Sequence, residues 1–211
     1  MPAHEEDWQR LRTAFLGIAL GNVSKPVIEA ITSARIIAGD REEPDKVRTL
    51  GLGMLVRRLI NKAKAKVFQA RVAAAVAPYQ YAVGGGRGAE TMHKTAQADL
   101  DARPLAVLHS VDVSNAHNEY ERADAIRAIS ELCPDMLPWV SAELTTPTEH
   151  VYFGLSGSRL TIPKDRGGDQ GDPIVGLIFP LTYHRVIHAT ESVAENHDNR
   201  ARAYSYQDDV A

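Results

Sequence analysis

Apolar residues recur at helical spacing from Asp7 to Leu20, and Leu11, Phe15, Ile18 and Ala19 share one face, which predicts an amphipathic helix. Ser24 is a candidate cap for a second short helix running to about Ala34. "ARIIAG", "DREEPDK" and "VRTLGL" then read as strand, polar turn and strand, a hairpin with Arg48 near the start of its second limb. From Met54 to Ala77 there is neither glycine nor proline, and alanine, leucine, lysine and arginine dominate, so a long helix is expected.

"YAVGGGRGAE" precedes a helix to about Ala102. The apolar run "PLAVLHSVDVS" predicts a buried strand that ends in Asp112. Helices follow over Tyr120–Leu132 and Leu137–Leu144, then a strand pair, "HVYFG" with "SRLTIP", and the loop "KDRGGDQGDP". A helix from about Pro173 to Glu191 and a last strand, "RAYSY", complete the order. The expected class is α+β, with helices packed on an antiparallel sheet whose strands end in acidic residues.

Composition narrows this. At 211 residues and 44% hydrophobic content, the chain can bury one good core or a large part of two. Lys plus Arg number 24 against 27 Asp plus Glu, so the charge of −3 argues against a polyanion partner held by the whole surface. Basic charge is instead local, at Arg48 and along Arg57, Arg58, Lys62, Lys64, Lys66 and Arg71 of the long helix. The lone Cys133 excludes an internal disulfide and a cysteine zinc cluster. With no apolar run of about 18 residues and a charged start, "MPAHEEDWQRLR", the chain reads as soluble and intracellular, with no membrane partner; nucleus and cytoplasm are not distinguished.

Candidate chemistry lies at two strand ends and one loop. Asp112 ends one predicted strand, and Asp208 with Asp209 ends another 96 residues later. Carboxylates brought to one sheet edge repel unless a cation neutralises them. Mg²⁺ suits them, because it takes oxygen ligands and shares them with substrate phosphates. Two such ions about 4 Å apart serve phosphoryl transfer. Aspartates are also common turn residues, and the doublet alone is a weak signal. In "GGDQGDP", Gly168 and Gly171 allow close backbone approach to a flat ligand, and Pro173 stands where a helix can begin.

"VDVSNAHNEYER", "GGDQGDPIVGLIFPL" and "YSYQDDV" together resemble the successive palm motifs of reverse transcriptases, most closely those of non-LTR (LINE-type) retrotransposons. "ARIIAGDREEPDKVRTLGLGMLVRRLINK" is similar to that family's fingers hairpin, and "PYQYAVGGGRGAE" to the segment before the palm. The resemblance implies an N-terminal helical segment over residues 1–33, a fingers-like region over 34–102 and a palm-like region over 103–211, with the thumb missing. It implies RNA-directed DNA polymerase activity, with Asp112, Asp208 and Asp209 as catalytic metal ligands aided by the Val113 carbonyl. Two Mg²⁺ ions would serve, with Mn²⁺ an admissible substitute. Arg48 would contact the incoming triphosphate, Gln170, Gly171, Asp172 and Pro173 would lie against template and nucleotide, and Tyr206 and Gln207 would complete the "Y-x-D-D" box. The implied partners are an RNA template, a DNA primer, deoxynucleoside triphosphates and the rest of a retroelement polyprotein.

Departures from the family pattern bear on that expectation. His117 stands where the family usually has the phenylalanine or tyrosine that excludes a ribose 2′-hydroxyl; it is a smaller, polar blade. Thr49 replaces the usual proline after Arg48, Asp169 replaces an uncharged residue, and Asp40 and Arg41 fall where a lysine is common. Only Val210 and Ala211 follow the doublet, so the returning strand of the family's hairpin is expected not to form, leaving a fragment or decayed copy with weak or no activity in isolation.

Other readings compete. A non-catalytic nucleic-acid-binding remnant would use Arg48 and the Arg57–Arg71 helix to hold phosphates. Gly84–Ala89 formally matches a dinucleotide-binding loop, although Asp112 lies 28 residues on, where about 20 is usual. His184 and His188, four apart on a predicted helix, could begin a zinc site but have no third ligand at fitting spacing.

Overall fold

Negative residues favour a helix N-terminus, and Glu5, Glu6 and Asp7 form the first turn of α1 (Glu5–Ala19) in the computed structural model of this chain. Phe15, Ile18 and Ala19 pack toward the core as their spacing predicts, whereas Leu11 is exposed. The structure describes residues 4–39, 48–154, 156–197, 200–206 and 209–210, with Arg48, His197, Asp209 and Val210 described by their backbone alone. α2 (Lys25–Thr32) follows Ser24, and the predicted hairpin forms as β1 (Ala34–Gly39) and β2 (Arg48–Gly53).

The glycine- and proline-free stretch is α3 (Leu55–Val76). Downstream lie α4 (Gly88–Ala102), β3 (Val111–Asp112), α5 (Ala116–Glu119), α6 (Arg122–Leu132) and α7 (Leu137–Thr145). β4 (Thr148–Phe153), β5 (Arg159–Lys164), α8 (Val175–His197), β6 (Ser205–Tyr206) and β7 (Asp209–Val210) complete the order. The helix expected over Tyr120–Leu132 forms as α6 from Arg122, and the extended Tyr120 (φ −62°, ψ 144°) separates it from the short α5 before it.

The elements make a mixed α+β fold. One sheet has the order β2-β1-β4-β5: the two hairpins are antiparallel, and β1 joins β4 in parallel, Ala34 opposite His150 and Ile36 opposite Tyr152. Residues more than 100 apart in sequence therefore share one sheet. Against it, α3, α6, α7 and α8 enclose the core, where Val72, Ile129, Met136, Trp139, Phe179 and Leu181 are fully buried.

The second sheet is small and antiparallel, in the order β3-β7-β6. It corrects two expectations. The run from Leu105 to Asp112 is not a buried strand: only Val111 and Asp112 pair, and Leu105 is 97% and Val107 90% exposed. A strand needs neighbours to take its backbone hydrogen bonds, and β7 offers two residues. Yet the returning strand does form, because two residues suffice when partners stand on both sides: β7 pairs Val210 with Ser205 and Val111, and Asp209 with Tyr206 and Asp112. On its other side, β6 receives the Tyr81 N–H at Ser205 O and donates its own Ser205 N–H to Tyr79 O.

The dinucleotide outline also fails. Residues 82–87 are bends and turns, and the next strand, β3, is antiparallel to its partner. No helix among the described residues is long and apolar enough to cross a membrane.

Candidate functional site

Antiparallel register places position 112 directly opposite position 209. Cross-strand partners lie on the same face of a sheet with Cβ atoms about 5 Å apart. The small sheet thus converts a separation of 97 residues into adjacency between two aspartate positions. Asp112 is exposed and Val113 half-buried beside it. Asp208 and Gln207 lie outside the described residues, as do Asp40 and Arg41. Among the described residues, no group of three or more potential metal ligands gathers, and none adds a third ligand to His184 and His188. Those two histidines pack with Tyr79, whose ring lies 5.7 Å and 5.9 Å from theirs.

The loop of residues 165–173 is tied to α5 by backbone hydrogen bonds. Gly167 N–H donates to Tyr120 O and Gly168 N–H to His117 O, each at 2.8 Å. Lys164 Nζ adds bonds to Gly168 O at 2.9 Å and Asn118 Oδ1 at 3.2 Å. His117 meanwhile packs on Phe179, with ring centroids 5.2 Å apart, so its orientation is set by α8. Gln170 and Pro173 are half-buried and Gly171 is exposed, leaving the loop's outer turn accessible. Tyr206 is half-buried on β6.

Beneath the loop lies a cluster of charges centred on Arg57. Its Nη2 meets Asp169 Oδ2 at 2.5 Å, and its Nη1 donates to Thr32 O, a terminal carbonyl of α2, at 2.7 Å. Its Nε sits 2.9 Å from both Asp172 Oδ2 and Glu143 Oε1. Asn61 Nδ2 donates to Asp172 Oδ1 at 2.9 Å, while Trp139 Nε1 donates to Asn61 Oδ1 at 2.6 Å. Asp172 Oδ1 also accepts the Ile174 N–H at 3.1 Å, in the turn before α8. Asp169 Oδ1 lies 2.6 Å from His150 Nε2 and 3.3 Å from Lys164 Nζ. Gly51 on β2 permits this packing, since a Cβ there would stand 2.7 Å from the Asp169 side chain.

The electrostatics follow from burial and charge count. Burial alone would lower the Arg57 pKa, but Glu143, Asp172 and Asp169 outweigh it and hold the guanidinium above its usual range. Burial would likewise raise the Asp169 carboxyl, yet the His150 hydrogen bond and the charges of Arg57 and Lys164 hold it well below the carboxylate range. For Glu143 burial wins over Arg57, and its carboxyl is pushed up to about 7.

These contacts bear on three residues the sequence singles out. Arg57 is buried and cannot reach a phosphate. Asp169 anchors the loop from beneath. Asp172 spends its carboxylate on Arg57, Asn61 and the Ile174 N–H. The buried role of Arg57 and the missed residue Asn61 had a signal: both share a helical face with Ile60, Phe68 and Val72, the apolar positions of α3. Glu143, His150 and Lys164 had none, since only the tertiary fold brings them to Arg57 and Asp169.

No family model matches the sequence, and no curated protein matches it. Solved structures do. The apo telomerase from Candida tropicalis, truncated from its C-terminal domain, superposes with a TM-score of 0.58 at 11% identity, over 85% of this chain and 43% of that one. The telomerase from Candida albicans in complex with the TWJ fragment of telomeric RNA gives 0.59 at 8% identity, over 98% of this chain and 42% of that one. At such identities the likeness is one of fold alone. The chain spans less than half the length of these proteins.

Proposed function

We propose that this chain carries fingers- and palm-like parts of a reverse-transcriptase-type nucleotidyltransferase. Its reaction is RNA-templated addition of deoxynucleoside monophosphates to a primer 3′ end. The primer 3′-oxygen attacks the α-phosphorus and gives its proton to water, while the bond to the pyrophosphate breaks and pyrophosphate leaves. The single observation that carries the reading is the opposition of positions 112 and 209 across β3 and β7. The polymerase-like fold supports it.

In this reading Asp112, Asp208 and Asp209, with the Val113 carbonyl, hold Mg²⁺. Bound there, the cation activates the 3′-hydroxyl and neutralises charge on the leaving group. Arg48, at the turn end of the hairpin opposite Gly39, takes the triphosphate. His117 borders the sugar, the outer turn at Gln170, Gly171 and Pro173 lies against template and nucleotide, and Tyr206 with Gln207 sits near the primer end. Asp172 orients that turn from below through Arg57 and Asn61. The motif likeness to LINE-type elements supports the choice of RNA template.

A second reading, a non-catalytic nucleic-acid-binding relic, draws on the shortness of the β3–β7 pairing, two residue pairs among the described residues. Catalysis needs carboxylates placed to within about 0.5 Å, and so short a ladder is poor support. Primer extension on an RNA template with Mg²⁺ separates the two. Product that disappears with EDTA supports the transferase; salt-sensitive binding without product supports the relic.

A further inference from the structure

Of the basic residues on α3, few are free to meet a ligand. Arg57 is buried in the acidic cluster, Lys64 is half-buried with its ammonium 5.8 Å from the Phe68 ring centroid, and Arg71 pairs with Asp135. Arg58, Lys62 and Lys66 remain. All three are exposed, and none forms an ion pair among the described residues. α3 itself contains no aspartate or glutamate.

Their spacing is regular. Residues four apart are offset by about 40° around a helix and rise about 6 Å along its axis, so the three basic side chains form a row that winds slowly along one face. That repeat is comparable with the distance between successive phosphates of one nucleic-acid strand. A compact anion would engage one head at a time, whereas a linear polyanion can engage all three. Exposed Leu55 and Leu59 border the row and can lie against sugars between phosphates.

We propose that the Arg58–Lys62–Lys66 row is a backbone-tracking site for one strand of a nucleic acid, engaging consecutive phosphates without reading bases. The inference rests on the polymerase reading above and adds a binding surface separate from the carboxylate edge.

The test is the salt dependence of binding, measured by fluorescence anisotropy with a labelled RNA–DNA hybrid. Three phosphate contacts set a slope of log K against log salt, and their loss should reduce it by about 2 to 3. The triple variant Arg58→Gln, Lys62→Gln, Lys66→Gln should show this reduction with an unchanged urea midpoint, and Arg71→Gln should keep the native slope. A triple variant that binds with the native slope overturns the row while leaving the polymerase reading intact. A native chain that binds neither hybrid nor single-stranded RNA overturns both.

Discussion

The Arg57 guanidinium meets the Asp169 carboxylate at 2.5 Å across 112 residues of sequence, joining α3 to the loop that precedes α8. Three carboxylates and the end of α2 converge on this one cation.

Removing the cation should therefore cost more than removing any one acid. Arg57→Met leaves Asp169, Asp172 and Glu143 buried against each other, and breaking a buried pair in this way costs about 3–5 kcal/mol. Arg57→Lys keeps charge but loses the fork, so it should fall between Met and the native chain. Urea unfolding followed by circular dichroism ranks the three.

Glu143 predicts a pH dependence. Its folded carboxyl titrates at about 7, above its unfolded value, so the folded chain holds the extra proton between these limits. Stability from this group is thus greatest below the unfolded value and is lost as pH rises toward 7. Glu143→Gln should remove the decline. The native urea midpoint should fall relative to that of the variant from about pH 5 to just above pH 7 and then keep a constant offset from it; an offset that does not change with pH would refute the assignment.

Two loop glycines should differ. Gly167 has φ +54°, and a Cβ there would lie 2.3 Å from the Asn118 backbone. Gly171 has φ +104° with no atom within 4 Å of the added carbon. Gly171→Ala should cost about 1–2 kcal/mol from backbone strain alone. Gly167→Ala should cost more, because α5 must also shift, and thermal melts should preserve that order.

Asp112 provides the functional contrast. It is exposed and forms no ion pair among the described residues, so Asp112→Asn should change stability by no more than about 0.5 kcal/mol. In the proposed transferase the same change should abolish Mg²⁺-dependent primer extension. An Asp112→Asn chain that extends primers at the native rate would remove Asp112 from the site.

Legibility in the sequence followed the range of the forces involved. Periodicity and turn chemistry act locally, so the β1–β2 hairpin, α3, α4 and the β4–β5 pair appear within a few residues of their expected ends. Pairing across the chain is not local: nothing in "ARIIAG" announces a parallel partner in "TEHVYF". The apolar run before Asp112 misled because hydrophobicity reports a preference for burial, while a strand also requires a neighbour for its backbone. Of the candidate site, the carboxylates were legible through motifs. The ionic support beneath the loop was not, since Glu143, His150 and Lys164 each look like ordinary surface residues until the sheet is assembled.

The parallel junction of β1 with β4 also has a cost in time. On a ribosome adding about 5–20 residues per second, the first hairpin waits on the order of ten seconds before residues 148–164 can join it. Throughout that interval the nascent chain offers the bare edge of β1, with Ile36 and Ile37, to any neighbouring polypeptide. Productive synthesis of this protein depends on keeping that edge unoccupied until its own later segment arrives.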